Sequence, residues 1–176
     1  MQPKSPERLQ ICCQKMTESG LFYRIPGATW CLEFSPGTTK CLAGQAQRHW
    51  WSKESVGQLY TKDMTGDVLR VDVVTKLRAK WASHTGVRLD VTRVNEERAR
   101  LFKQGLHCLG FWHSHPESVP NPSSDDIAMA ADHAKASLNV FAGILFVIVG
   151  TADAPSGLGV WVHDGTEMLQ AFPEPS

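Results

Sequence analysis

The sequence contains no C-x-x-C pair, and its five cysteines, Cys12, Cys13, Cys31, Cys41 and Cys108, are odd in number and scattered. Neither a disulfide framework nor a thiolate zinc knuckle is suggested, and the chain reads as a reduced, intracellular one, expected in the cytoplasm. Charge of one sign is lacking too: 18 basic residues balance 18 acidic ones, with no basic stripe to follow a phosphate backbone. Nucleic acid is therefore not an expected partner. Long apolar runs are absent; the longest, residues 140–149, is too short to cross a bilayer, and MQPKSPERLQICC has no continuous apolar core of a signal peptide. No membrane association is expected, and no repeat or low-complexity segment appears.

What the chain does have is 176 residues, 42% of them hydrophobic, enough for the core of one ordinary domain. Residues 1–28 mix charge with Gly and Pro, end in RIPGAT, and read as a loosely attached leader holding at most one short helix. Residues 29–176 read as the working domain. WCLEF suggests a strand, SPGTTK a turn and CLAGQA its partner strand. VGQLY, VLRVDVVT (68–75) and VRLDV (87–91) follow as strands, and the loop around KWASHTG is a candidate substrate-facing element. Asn95 predicts the cap of a helix over 96–104 that Gly105 ends, with Glu96 and Glu97 as a solvated helix start. HCLGFWHSH reads as a strand, ESVPNP as a loop, and SSDDIAMAADHAKASL as an amphipathic helix. FAGILFVIVG has the continuous apolar character of a buried central strand, VWVHDGTEM adds a strand with a DG turn, and FPEPS reads as a frayed end. The fold class is α+β.

Two histidines, His113 and His115, lie two apart on a predicted strand, so both rings leave the same face and can reach one ion. Two partly exposed strand histidines are the plain alternative. Asp126 follows eleven residues after His115, in the first turn of the predicted helix, where its carboxylate can complete an open three-ligand site. Ser123 and Asp126 also fit an S-x-x-[DE] helix start, in which the pair merely caps the helix. His107, His133, His49, His84 and His163 read as structural or exposed, and Phe111 and Trp112 as core or pocket wall, with substrate contact by Trp112 a secondary reading.

Taken together, HSHPESVPNPSSDD contains H-x-H-P, seven residues from Pro116 to Pro122, and then S-x-x-D. In this it resembles the JAMM signature of MPN/JAB-domain metalloproteases. The resemblance implies a single JAB/MPN domain, a central mixed sheet flanked by helices in a cytidine-deaminase-like architecture. It also implies one zinc ion held by His113, His115 and Asp126, with Ser123 donating to the oxyanion. The family's upstream glutamate, in an E-x-G-G-x-L segment, is matched best by Glu54 in ESVGQLY, as general base and later acid. Val56 departs from the glycine common there. Glu33, Glu96, Glu97 and Glu117 are the competing acids.

The run GFWHSHPESVPNPSSDD with ESVGQLY further resembles bacterial JAB proteins found beside ubiquitin-transfer-like enzymes in antiphage operons, the CBASS deconjugating protease among them. That resemblance covers roughly residues 30–170. It implies an isopeptidase that cleaves after the C-terminus of a ubiquitin-like protein or a CD-NTase tail, opposing activating and conjugating enzymes; a processing protease for a bacterial ubiquitin-like modifier is the sister reading. A non-catalytic MPN scaffold would keep the fold but lack ligands, all of which are present. A zinc deaminase would need H-x-E and P-C-x-x-C, and neither occurs.

Overall fold

The computed structural model describes residues 20–78, 81–82, 87–88, 90–137 and 143–175. Its strands are β1 (Leu21–Arg24), β2 (Cys31–Phe34), β3 (Val56–Thr61), β4 (Val68–Val71), β5 (Val73–Val74), β6 (Trp81–Ala82), β7 (Val87–Arg88), β8 (His107–Ser114), β9 (Ile144–Val149), β10 (Leu158–His163) and β11 (Met168–Pro173). The helices among the described residues are α1 (Pro36–Ala43), α2 (Val91–Phe102) and α3 (Ser124–Ser137). Nine strands form one mixed sheet in the order β4-β2-β1-β11-β10-β9-β8-β3-β5, with β8–β9 and β2–β4 parallel and the other pairs antiparallel. β6 and β7 form a separate two-stranded ribbon.

β9 is buried along its whole length, as its unbroken apolar sequence requires of a strand covered on both faces. Leu145, Val147 and Val149 enter one core with Leu32, Leu59 and Trp112, while Ile144, Phe146 and Ile148 enter a second with Phe111, Ala130 and Ala134 of α3. β8 beside it carries a bulge: Tyr60 pairs with Cys108 and Leu59 with Gly110, which leaves Leu109 over. The extra residue reverses the alternation of β8. Leu109 therefore joins Trp112 in the first core, while Phe111 joins the second. Gly110 is required there, because a Cβ at that position would overlap the carbonyl of Leu145 on β9.

Several expectations change. CLAGQA is not a strand; Ser35 accepts the Thr38 N–H, Pro36 opens the first turn, and Thr38 and Leu42, four apart, are buried, so the segment winds as α1. The helix expected from residue 96 begins at Val91, with Asp90 as its cap accepting from Thr92. Val94 and Leu101 bury one helical stripe there, and that packing overrides the β-branched look of the first turn. VLRVDVVT is two strands, β4 and β5, at opposite ends of the sheet order. Phe172 and Pro173 do not fray: β11 pairs through them with Arg24 and Tyr23 of β1, and Arg24 Nε meets Glu174 at 2.6 Å. Residues 21–24 of the expected leader thus form a strand inside the sheet, while residues 1–19 lie outside the described ones. So does most of the KWASHTG loop, of which Trp81–Ala82 form β6.

Glu97 is not a solvated helix-start residue. Its Oε1 accepts from Gln58 Nε2 (2.9 Å), Tyr60 OH (3.1 Å) and Thr75 Oγ1 (2.6 Å), and Arg98 Nε donates to Gln58 Oε1 at 2.6 Å. Gln58 and Tyr60 are fully buried, so this network fastens α2 to β3 and stays intact only while every donor keeps an acceptor. Replacing Glu97 by Ala strands buried donors that each cost roughly 1–3 kcal/mol when unpaired. A loss of about 2–3 kcal/mol in urea unfolding is expected; an unchanged midpoint would refute the fastening role.

Candidate metal centre

The register of β3 against β8 organises the site. Val56 pairs with His113, and the pairing continues outward: Ser114 N–H donates to Ser55 O and Ser55 N–H to Ser114 Oγ, both at 2.9 Å. Continuing that antiparallel register by one residue sets Glu54 opposite His115. The carboxylate of Glu54 acts on the His115 ring electrostatically, and Glu54 is itself buried. On its other side β8 is extended by His115 N–H, which donates to Val149 O of β9 at 2.8 Å. Both histidines are buried, with the His113 ring 5.2 Å from that of Phe146.

Asp126 reaches them from α3. Ser123, the residue before the helix, and Asp126 cap each other: Asp126 N–H donates to Ser123 Oγ at 3.2 Å, and Asp126 Oδ2 accepts Ser123 N–H at 2.8 Å. The Ser123 hydroxyl also donates to Oδ2, at 2.7 Å. This is the capping arrangement that the S-x-x-D spacing allows, and it leaves Oδ1 turned to His113. The capping and ligand readings of the motif are therefore compatible, since one carboxylate can do both.

The donor atoms converge. His113 Nε2 and His115 Nε2 lie 2.8 Å apart, His113 Nε2 is 3.2 Å from Asp126 Oδ1, and His115 Nε2 is 3.5 Å from Oδ2. Tetrahedral ligands at roughly 2.0–2.2 Å from an ion stand about 3.3 Å from one another, so the two nitrogens and one oxygen fit such an ion with little rearrangement. Three protein donors leave one position open, the pattern of a catalytic rather than a structural site. Burial opposes ionisation of Asp126, but hydrogen bonds from both histidines and Ser123 outweigh it and hold its carboxyl well below the usual range. Burial likewise lowers His115, but Asp126 above all, with Glu117 and Glu54, raises it on balance. Such an acidic surround favours a cation.

One neighbour was not singled out by sequence reasoning, and one of the competing acids also stands at the site. Ser114, between the histidines, ties β8 to the Glu54 segment through its hydroxyl; a small hydroxyl residue at that position was the available signal. Glu117 stands 3.0 Å from His115 Nδ1 without a hydrogen bond between them. The remaining competitors lie elsewhere: Glu33 pairs with Arg70 at 2.9 Å and Glu96 is exposed. Trp112 points away from the histidines into the first core, donating to Thr75 O at 2.8 Å, and is fully buried, so it does not meet substrate. Phe111 packs against His133, ring centroids 4.4 Å apart, and burial, with Arg98 adding to it, lowers the His133 pKa. His163 is buried and accepts Gly165 N–H, His107 meets Phe102 edge-on, and His84 lies outside the described residues.

Residues 42–163 match the family model described as prokaryotic homologs of the JAB domain. A comparison with curated proteins found no match. Among solved structures, the chain is similar to protein DSY2949 from Desulfitobacterium hafniense at 19% identity and a TM-score of 0.56, over 80% of this chain and 88% of that one. A JAB1/MPN domain protein from Archaeoglobus fulgidus, AF2198, gives 16% identity, a TM-score of 0.32 and coverage of 72% of this chain and 82% of its own.

The cap makes a separable prediction. Ser123→Ala removes both the helix cap and the hydroxyl on Asp126, and is expected to cost about 0.5–2 kcal/mol in thermal or urea unfolding. Ser123→Thr, which keeps the hydroxyl, is expected to restore most of it; equal losses in both variants would show that the hydroxyl is not the cause.

Proposed function

The chain belongs to the prokaryotic homologs of the JAB domain, and from that premise we propose that it is a zinc-dependent isopeptidase of the JAMM type. It cleaves after the C-terminus of a ubiquitin-like modifier, or of a similarly conjugated protein such as a CD-NTase tail, in a bacterial antiphage conjugation system with activating and conjugating enzymes. The observation that carries the reading is the convergence of His113 Nε2, His115 Nε2 and an Asp126 carboxylate oxygen, all within 4.8 Å of one another, opposite a buried Glu54. The resemblance of the surrounding signature supports the choice of substrate and setting.

His113, His115 and Asp126 hold the metal. When bound, zinc supplies Lewis acidity to the scissile carbonyl and to the attacking water. Glu54 takes the proton of that water on its carboxylate and hands it to the leaving amine nitrogen, so one buried acid serves both proton transfers. The Ser123 hydroxyl, whose proton rests on Asp126 Oδ2, rotates to donate to the oxygen of the scissile carbonyl as negative charge grows there. Ser114 holds the Glu54 segment against β8 so that the base stays opposite His115.

The test is cleavage of a fusion carrying a ubiquitin-like or CD-NTase C-terminal tail, with chelator and with zinc restored, beside the metal content of the purified protein. Stoichiometric zinc with chelator-sensitive cleavage is expected. Glu54→Gln is expected to retain zinc and lose about 10²–10⁴ in rate, whereas His113→Ala and Asp126→Ala lose metal and activity together. A protein that takes up no zinc and cleaves nothing would instead be a non-catalytic scaffold.

A further inference from the structure

The two histidines of the site are held differently. The His113 ring packs against Phe146, centroids 5.2 Å apart, whereas His115, one residue past the end of β8, has His113 itself as its aromatic neighbour at 4.6 Å. The bond from His115 N–H to Val149 O, at 2.8 Å, fixes the backbone there and not the direction of the ring. A neutral imidazole carries one proton, so a ring that offers Nε2 to a cation must keep that proton on Nδ1. At His115 the Nδ1 atom is buried and has no hydrogen-bond partner. A buried donor left unmet is disfavoured. The ring escapes that cost by turning, or by moving the proton to Nε2, and either change spoils it as a ligand.

The group placed to prevent this is Glu117. Its Oε2 lies 3.0 Å from His115 Nδ1, and 56% of its side chain is exposed, so the carboxylate already stands at bonding distance and has room to swing into line. Its backbone, by contrast, is fastened. Glu117 O accepts Thr151 N–H at 2.8 Å and Ser118 O accepts Ala152 N–H at 3.1 Å. Gly150 presses so closely on this segment that a Cβ there would stand 2.7 Å from Glu117 O and 2.6 Å from Ser118 O. The turn after β9 thus grips Glu117 while Val149, the last residue of β9, grips His115. One strand end therefore sets the separation of acid and ring. Nδ1 and Nε2 face different sides of an imidazole, so an acid at Nδ1 stands behind the ligand and away from the ion. That placement separates Glu117 both from the three ligands and from Glu54.

Resting on the metallopeptidase reading above, we propose that Glu117 is a positioning residue of the metal centre. It accepts the Nδ1–H of His115, fixes the ring with Nε2 turned toward His113 and Asp126, and so sets how tightly the ion is held. An outer partner of this kind keeps a ligating histidine in the right tautomer and orientation, and its loss typically weakens metal binding about 10–100-fold.

Metal binding is read apart from cleavage, on the full chain, by competition for zinc against a chromophoric chelator. Glu117→Ala is expected to bind zinc about 10–100-fold more weakly with an unchanged circular-dichroism spectrum. Glu117→Gln loses the charge but keeps an accepting oxygen, and is expected to recover most of the affinity. In the zinc-loaded protein with 15N-labelled histidine, the His115 Nδ1–H proton is expected to exchange slowly in the wild type and in Glu117→Gln, and to be lost to exchange in Glu117→Ala. Unchanged zinc affinity in Glu117→Ala overturns the proposal, and so does a Glu117→Gln variant as weak as Glu117→Ala, which would leave only a diffuse effect of charge. Loss of cleavage in Glu117→Ala with zinc affinity and the Nδ1–H signal intact also overturns it, because the acid would then act on the reacting atoms. Cleavage of the tail fusion by the wild-type chain is measured in parallel. Its absence beside the expected zinc-binding pattern would overturn the peptidase reading and leave the positioning role of Glu117 standing.

Discussion

The pairing of Val56 with His113 is the constraint on which the rest of the site depends. A strand's side chains alternate faces, so a slip of one residue between β3 and β8 would turn both imidazoles to the opposite core and carry Glu54 out of register with His115. Several features hold that register. Ser114 bonds Ser55 through both backbone and hydroxyl, the bulge at Leu109 reverses the alternation upstream, and Gly110 permits the close approach of β9. The fully buried strands on either side leave no slack for an alternative pairing.

The second element is economical in another way. A carboxylate buried beside imidazoles is costly unless its oxygens are satisfied, and Asp126 meets that requirement locally through the backbone and hydroxyl of Ser123. The same bonds begin α3, whose Ala130 and Ala134 pack on Phe111 and Phe146 in the second core. Helix start, core packing and the third donor atom are thus one structural event. This explains how the third of these donor groups persists in a protein interior: Asp126 is held by bonds that the fold makes for its own reasons.

Much of this was legible in the sequence, and the limits have physical causes. The apolar run at 144–149 is a local pattern with one dominant reading, whereas H-x-H and S-x-x-D each also allowed a plain one, exposed histidines or a helix cap, and pointed to a single site only in combination; the structure brings His113, His115 and Asp126 together. The misreadings came where tertiary packing outvoted local preference. Val91 and Thr92 resemble strand residues, yet the buried stripe of Val94 and Leu101 makes them helical. Glu97 resembles an ordinary helix-start acid, and only the buried hydroxyls and amide of β3 and Thr75, distant in sequence, reveal its partners. The division of 68–75 into two strands could not be read from alternation, because alternation does not say which neighbour each strand joins.

That division has a bearing on how the molecule behaves in concentrated solution. β4 and β5 end the nine-stranded order, yet only Asp72 separates them in the chain, its N–H bonded to Tyr60 O and its carboxylate to Lys62 N–H. The sheet is curled so that its two rims are drawn together at one residue. Those rims are also short, four residues on one side and two on the other, and Arg70 on the longer one is anchored to Glu33. Bare edges of this length offer another chain few consecutive amides to zip onto. Copies of the chain thus find little edge on which to pair, and the curl of the sheet serves as a colloidal safeguard.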